Sequence, residues 1–291
     1  MTDVKIPSTT KTQTHRTFIK HWFASAQGRR PTMEDIHLTS SNEEKIWKYW
    51  IVCDGHGGRA VVDYLQLHLS DQIDSFLKSS NITFDVFGMM RWKLELEQFV
   101  LNLDRTLFDS LGKKASCCGC TFLMVLYHVP SHFFAVVHLG DSRAMVCHDF
   151  KNVYITKDHK PNEKKERQRI ETAGGYVSKD KRVNKNLALS RALGDFSLKF
   201  NKPKNMEFDP LEGAVCAVPE VEVGYLSSGI FVIACDGVWD VLSNSEVHSF
   251  LTQIEKKVPA QNPAESLVKQ AYEKQSSDNL SCFIVLIQQI N

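Results

Sequence analysis

The sequence predicts an α+β fold in which two β-sheets pack together with helices outside them. Three observations lead there. Apolar runs of strand length fall into two blocks, separated by pairs of segments with helical period. Two of these runs, Trp50-Ile51-Val52-Cys53 and Phe231-Val232-Ile233-Ala234-Cys235, end in the same way, in Asp54-Gly55 and Asp236-Gly237. No internal repeat and no composition break divides the 291 residues, a length that suits one large domain or two small ones.

Residues 47–53 read as a buried strand. Residues 59–77 read as a helix, because Val61, Val62, Leu65, Leu69, Ile73, Phe76 and Leu77 recur at helical spacing. A second long helix is expected over 91–111, with Leu94, Phe99, Leu103 and Leu107 on its apolar side. Strands follow at 120–127, 133–139, 144–147 and 153–156. A short charged helix over 162–173 is stopped by Gly174-Gly175. Residues 156–194 otherwise form a long polar connection, the sort of excursion that often carries function. The Pro-containing stretch 197–214 reads as irregular. Strands at 221–223 and 230–235, helices at 245–254 and 263–275, and a final strand at 280–287 complete the chain. The polar, Thr/Lys-rich residues 1–17 are expected to be a disordered tail, and 18–291 a single domain.

Composition narrows the function. Hydrophobic content of 43% and charged content of 24% permit a sizeable core. A net charge of +1, with no strong asymmetry of sign, gives no electrostatic case for nucleic acid or a membrane as partner. No apolar run approaches the length of a membrane span, and the first 17 residues lack the apolar core of a signal peptide. Thr2 follows Met1, which excludes N-myristoylation. The eight cysteines sit mostly in apolar runs, as small core residues of a reducing compartment do. Cys117 and Cys120 form one C-x-x-C without the second pair or spaced histidines of a zinc site. A cytoplasmic and/or nuclear monomer is expected.

The chemistry lies in carboxylates. Asp54 and Asp236 end strands, Asp278 precedes the last strand, and Glu34-Asp35 stand together upstream. Taken singly, each has a plainer reading: an Asp-Gly is a turn, and Glu34-Asp35 is a solvated pair. Gathered together they would repel and protonate unless a divalent cation neutralised them. Oxygen donors without clustered His or Cys favour Mg²⁺ or Mn²⁺ over zinc. Two such ions about 3.5–4 Å apart can share and activate a hydroxide.

The motifs then form an ordered set: Arg30-Pro31-Thr32-Met33-Glu34-Asp35, Asp54-Gly55-His56-Gly57-Gly58, Gly119-Cys120-Thr121, Gly140-Asp141-Ser142-Arg143, Asp158-His159-Lys160-Pro161, Ser190-Arg191-Ala192-Leu193-Gly194-Asp195, Asp236-Gly237-Val238-Trp239-Asp240 and Ser277-Asp278-Asn279. In this order, over nearly the whole chain, they resemble the metal-dependent protein phosphatases of the protein phosphatase 2C family. The resemblance implies a four-layer α-β-β-α sandwich, with two central, mostly antiparallel sheets flanked by helical pairs. It implies a flap over about 157–195. It also implies a protein serine/threonine phosphatase in which a hydroxide bridging two Mg²⁺ or Mn²⁺ ions attacks phosphoserine or phosphothreonine directly.

By the same resemblance, Asp54 bridges both ions, and Asp236 and Asp278 bind one. The Gly55 carbonyl binds the other, whose waters Glu34 and Asp35 hold. Asp141 and Asp240, with Asp236, match a weaker third site. Arg30 holds the substrate phosphate, for which a planar guanidinium fork is suited; Arg29 is expected to project elsewhere. His56 corresponds to the general acid, a role that a histidine of near-neutral pKa can fill; its plainer reading is a loop histidine that only braces the site. Lys164, Lys165, Arg167 and Arg169 are expected to be a solvated helix face, and Arg182 and Arg191 structural. Alternation along the strands is expected to turn Cys53 and Cys235 away from the site. The alternative function is a catalytically inactive binding scaffold, which would be expected to have lost metal ligands; none is missing here. A nuclease is disfavoured by the absence of a basic stripe.

Overall fold

Two-residue periodicity, with both phases apolar, decides the architecture. The computed structural model describes residues 16–40, 46–80, 83–148, 151–200, 208–256 and 258–290. Its strands are β1 (Arg16–Ala26), β2 (Ile36–Thr39), β3 (Trp47–Cys53), β4 (Gly55–His56), β5 (Gly119–Cys120), β6 (Phe122–His128), β7 (Phe133–Leu139), β8 (Arg143–His148), β9 (Lys151–Ile155), β10 (Leu193–Gly194), β11 (Glu220–Tyr225), β12 (Gly229–Ala234) and β13 (Leu280–Ile290). The helices are α1 (Ala60–Ser79), α2 (Val86–Leu111), α3 (Lys164–Thr172), α4 (Asp236–Trp239), α5 (Asn244–Lys256) and α6 (Pro263–Glu273). One sheet has the order β1-β13-β12-β8-β9, the second β11-β7-β6-β3-β2, and a short ribbon runs β10-β5-β4. Every pair of these strands is antiparallel.

Alternate residues of the central strands serve different layers. On β3, Tyr49, Ile51 and Cys53 face the cluster that holds α1 and α2, while Trp50 and Val52 face the other sheet. On β12, Ile230, Val232 and Ala234 face the cluster of α5 and α6, while Phe231 and Ile233 meet Trp50, Val125 and Val136 between the sheets. Strands buried on both faces need continuous apolar sequence. Each fully buried Val, Ile or Phe contributes about 1.5–3 kcal/mol. The result is the α+β, α-β-β-α layering that the sequence implies.

Helices reach the same core by their 3.6-residue stripe. In α1, Val61, Val62, Leu65, Leu69 and Ile73 are buried, as their spacing predicts. In α2 the buried stripe is Trp92, Leu96, Val100, Leu103 and Leu107. Leu94, expected on that stripe, is instead 67% exposed, because Trp92 and Leu96 claim the inward direction on either side of it. The helix also starts five residues earlier than the sequence suggests. Asp85 caps it by accepting a hydrogen bond from the Gly88 N–H at 2.7 Å, a contact worth about 1 kcal/mol.

Four strands were not legible: β1, β2 and the two-residue β4 and β10 of the ribbon. Strand β1, RTFIKHWFASA, mixes apolar with polar and charged residues and is mostly half-buried at the edge of its sheet. It nevertheless pairs with β13 from Arg16↔Ile290 to Ala26↔Leu280. Arg16 and Thr17, assigned to the tail, therefore belong to a strand; the rest of that expected tail, 1–15, lies outside the described residues. Strand β2, only four residues long, is defined by its pairing with β3. Part of the stretch expected to be irregular, 201–207, also lies outside the described residues.

Candidate active site

The first anchor follows β3. Asp54 is tied to Thr121 through both backbone groups: its N–H donates to Thr121 Oγ1 at 2.9 Å, and its carbonyl accepts the Thr121 N–H at 2.9 Å. Thr121 Oγ1 in turn meets Ser142 Oγ at 2.7 Å. The next residue must be small: a Cβ on Gly55 would lie 2.5 Å from the Glu34 carbonyl oxygen. Gly57 has φ +71° and a Cβ there would lie 2.0 Å from the Cys117 carbonyl oxygen, so the loop requires glycine twice over.

The second anchor follows β12, where Asp236 opens the one-turn helix α4. Asp278 lies in the loop before β13. Its neighbour Asn279, to which the sequence reading gave no role, joins the two halves of the site. Its Nδ2 donates to the Gln27 carbonyl at 2.8 Å and the Thr32 carbonyl at 2.9 Å, and its Oδ1 accepts the Glu34 N–H at 2.8 Å. Arg30 Nη2 reaches Asp278 Oδ2 at 2.6 Å. Arg29 points elsewhere, donating to the Ser276 carbonyl at 2.5 Å and stacking over Tyr272.

These elements surround a cleft of about 450 Å³ lined by Arg30, Glu34, Asp54, Gly55, His56, Asp141, Arg182, Asp236 and Asp278, among others. Arg182, read as structural, thus faces the cleft, while its Nη1 donates to the Asn186 carbonyl at 2.8 Å. Asp35 is not in the lining. It lies buried behind Asp54, with its carboxylate, the Asp54 carboxylate and the Cys235 sulfur all within 4.8 Å of one another. Asp240 is also outside the lining.

Crowding raises the carboxyl pKa values. Burial lifts Asp35 to about 6. Burial, then the charges of Asp141 and Asp240, lift Asp236 to about 7. Burial together with Asp35 and Asp236 pushes Asp54 well above the ordinary range. Asp141 is also raised by burial, although Lys160 Nζ forms an ion pair with it and opposes the shift. Burial raises Asp240, against the pull of Lys160. His56 Nε2 meets Asp195 Oδ2 at 2.6 Å. Burial alone would lower the His56 pKa, but the Asp195 carboxylate outweighs it and the net shift is upward.

Cys235 corrects an expectation. It is buried between the sheets, yet its sulfur lies against Asp35 and Asp54 instead of turning away. The reason is that β12 ends at Ala234, so strand alternation no longer governs the next residue. Its sulfur is already engaged, accepting from the Ser281 N–H at 3.1 Å and donating to the Asn279 carbonyl at 3.4 Å. Burial also pushes its pKa well up, so it remains a thiol and a poor ligand.

Arg169 is likewise not a solvated side chain: it donates to the carbonyls of Gly213 at 2.7 Å and Ser190 at 2.5 Å and pairs with Glu166. Arg191 pairs with the same Glu166 at 2.5 Å. Despite burial, these guanidiniums hold Glu166 down at about 2.

A second grouping, His138, His159 and Glu220, brings its ligand atoms equally close. His159 Nδ1 accepts the Gly140 N–H at 3.0 Å. A neutral ring so held carries its proton on Nε2, facing Glu220 at 3.6 Å, and has no lone pair there for a metal.

Known proteins resemble this chain over most of its length. Residues 19–280 match the family model of protein phosphatase 2C. The chain is 33% identical over 278 residues to Probable protein phosphatase 2C 6 of Paramecium tetraurelia, with 89% of each chain covered. It is 32% identical over 284 residues to Protein phosphatase 1B of Rattus norvegicus, covering 92% of this chain and 70% of that one. The crystal structure of a phosphatase from Toxoplasma gondii superposes with a TM-score of 0.75 at 27% identity, covering 94% of this chain and 96% of that one. The chain belongs to the protein phosphatase 2C family, the metal-dependent protein serine/threonine phosphatases.

Proposed function

We propose that this phosphatase hydrolyses phosphoserine and phosphothreonine in proteins by one direct displacement, using two Mg²⁺ or Mn²⁺ ions and a weaker third. The observation that carries this reading is a set of buried carboxylate oxygens that no well-formed hydrogen bond reaches among the described residues: both oxygens of Asp35 and Oδ1 of Asp236. Buried anions without partners are costly, and here they stand beside further carboxylates that raise the cost. A divalent cation relieves both problems. The donor set is carboxylate and carbonyl oxygen, which fits Mg²⁺ or Mn²⁺.

Asp54, Asp236, Asp278 and the Gly55 carbonyl would hold the two ions, with Glu34 and Asp35 behind the Gly55 side. Asp141 and Asp240 would hold the third, which would require Lys160 to release Asp141. When bound there, such ions would supply Lewis acidity for phosphoryl oxygens and a nucleophilic water at neutral pH. Arg30, at the mouth of the cleft, orients the phosphate through its planar donor fork. His56 protonates the departing seryl or threonyl oxygen. No cysteine takes part, since the reading requires no covalent phosphoenzyme.

We further read the protein as a monomer of the cytoplasm and/or nucleus; its mostly buried free cysteines support a reducing compartment. Among the described residues no helix is long and apolar enough to cross a membrane. The direct test is a phosphopeptide assay after rigorous chelation. Activity should vanish and return with Mn²⁺ or Mg²⁺. Undiminished turnover in the chelated protein would overturn the reading, and failure of either ion to give any turnover would favour the inactive scaffold.

A further inference from the structure

Asp195 has no role in the reading above, yet the fold goes to unusual lengths to present it. It is a non-glycine residue in the left-handed region, φ 50° and ψ 41°, a conformation that persists only where its surroundings enforce it. Its side chain is 4% exposed, and its Oδ2 meets His56 Nε2 at 2.6 Å. Among the described residues it is the hydrogen-bond partner of that ring.

The ribbon β10-β5-β4 explains how the two residues meet. Gly119 on β5 pairs with His56 on one side and with Gly194 on the other. The residue between them therefore has no side chain, and Asp195 reaches across the gap. A Cβ on Gly119 would lie 2.2 Å from Asp195 Oδ2. Behind the ribbon, a fully buried ion pair holds the segment in place. Asp104 Oδ1 on α2 accepts the Gly194 N–H at 2.9 Å, and Asp104 Oδ2 binds Lys199 Nζ at 2.7 Å. Lys199 Nζ also donates to the Ala192 carbonyl at 2.7 Å, and the Asp195 N–H donates to the Cys118 carbonyl at 2.9 Å.

We propose that Asp195 is the positioning residue of the reaction. It fixes the His56 ring through Nε2, so that Nδ1 is the nitrogen that gives its proton to the leaving oxygen. The inference rests on His56 being the general acid. The step balances. As the P–O bond breaks, its electron pair goes to the serine or threonine oxygen, which takes the proton from Nδ1. The imidazolium becomes a neutral ring that keeps Nε2–H against the Asp195 carboxylate. Asp195 touches neither substrate nor the reacting atoms; it acts by fixing ring orientation and tautomer.

Asp195→Asn keeps the shape and removes the anion. It should lower kcat on a phosphopeptide by about 10–100-fold, part of the roughly 10²–10⁴-fold that a general acid contributes. KM and Mn²⁺ affinity should stay unchanged, and p-nitrophenyl phosphate, whose leaving group needs little protonation, should be affected far less. Added to His56→Gln, the substitution should cause no further loss, because both act through one ring. Equal losses on the two substrates, or additive losses in the double variant, would overturn the proposal.

His56→Gln alone keeps the two readings apart. If it shows no leaving-group dependence, the general-acid reading falls; if it does and Asp195→Asn does not, only the role of Asp195 falls. Should Asp195→Asn fail to fold, the wild-type Mg²⁺ enzyme still decides. Long-range ¹H–¹⁵N correlation should find neutral His56 protonated on Nε2, and the Nδ1 tautomer would contradict the proposal.

Discussion

Arg30 and Asp278 meet at 2.6 Å although they are 248 positions apart. The proposed phosphate clamp and a proposed metal donor are thus one ion pair at the mouth of the cleft. The relationship predicts that Arg30→Ala weakens inhibition by inorganic phosphate and raises KM for a phosphopeptide. A hydrogen bond to a charged group is worth about 1.5–3 kcal/mol, and the guanidinium is 54% exposed, which favours the lower end. The expected loss is therefore about tenfold in kcat/KM. An unchanged phosphate inhibition constant would remove Arg30 from the clamp.

Asn279 holds the loop that carries Glu34. Asn279→Ala removes three hydrogen bonds to Gln27, Thr32 and Glu34 at a residue that is 5% exposed. The expected cost is roughly 2–4 kcal/mol of stability, with lower turnover because Glu34 is no longer fixed. Denaturant unfolding of the two proteins measures the difference. A loss below about 0.5 kcal/mol, as for an ordinary surface substitution, would mean that the loop is held by other contacts.

The raised carboxyl pKa values set a sign for pH dependence. Folded, Asp35 titrates at about 6 and Asp236 at about 7, against a reference of 3.8. Between about pH 4 and 7 these two carboxyls therefore hold more protons in the folded state than in the unfolded state. Their contribution to stability falls as pH rises through that window, against the opposite contribution of the histidines whose pKa values burial lowers. Chelated wild-type protein should lose Tm across the window relative to chelated Asp236→Asn, which lacks one of these titrations. Parallel Tm profiles for the two chelated proteins would contradict the crowding described here.

Lys160 occupies Asp141 and lies close enough to Asp236 and Asp240 to feel both charges. Lys160→Met keeps most of the chain length and removes the competing cation. A weak third Mn²⁺ event in a calorimetric titration should tighten by about tenfold, the lower end of one charged contact of about 1.5–3 kcal/mol. A third event that is unchanged, or absent from both proteins, would speak against a site at Asp141 and Asp240.

Much of the layering was legible, because β3, β6, β7, β12 and β13 are largely buried on both faces and their sequences are mostly apolar. The edge strands β1 and β2 escaped for the opposite reason, whereas the edge strands β9 and β11 were expected at 153–156 and 221–223. Half-exposed β1 carries Lys20, His21 and Ser25 among its apolar residues, and only its partner β13 defines it. At the site, the Asp-Gly ends of β3 and β12 were visible because a carboxylate after an apolar run is conspicuous. Asn279 and Asp195 were not assigned roles, since what they do depends on neighbours from distant segments. The position of Cys235 failed for a related reason: strand periodicity was extended one residue past the end of β12.

The central claim is that Asp54 is the carboxylate around which the divalent cations gather. Calorimetric titration of chelated wild-type protein and Asp54→Asn with Mn²⁺ tests it most directly. The variant preserves shape, and the backbone bonds of Asp54 to Thr121 do not involve the altered group. Wild type should bind at least two ions, and the variant should lose the tight events while circular dichroism shows the fold intact. Equal Mn²⁺ stoichiometry and affinity in the two proteins would contradict the account.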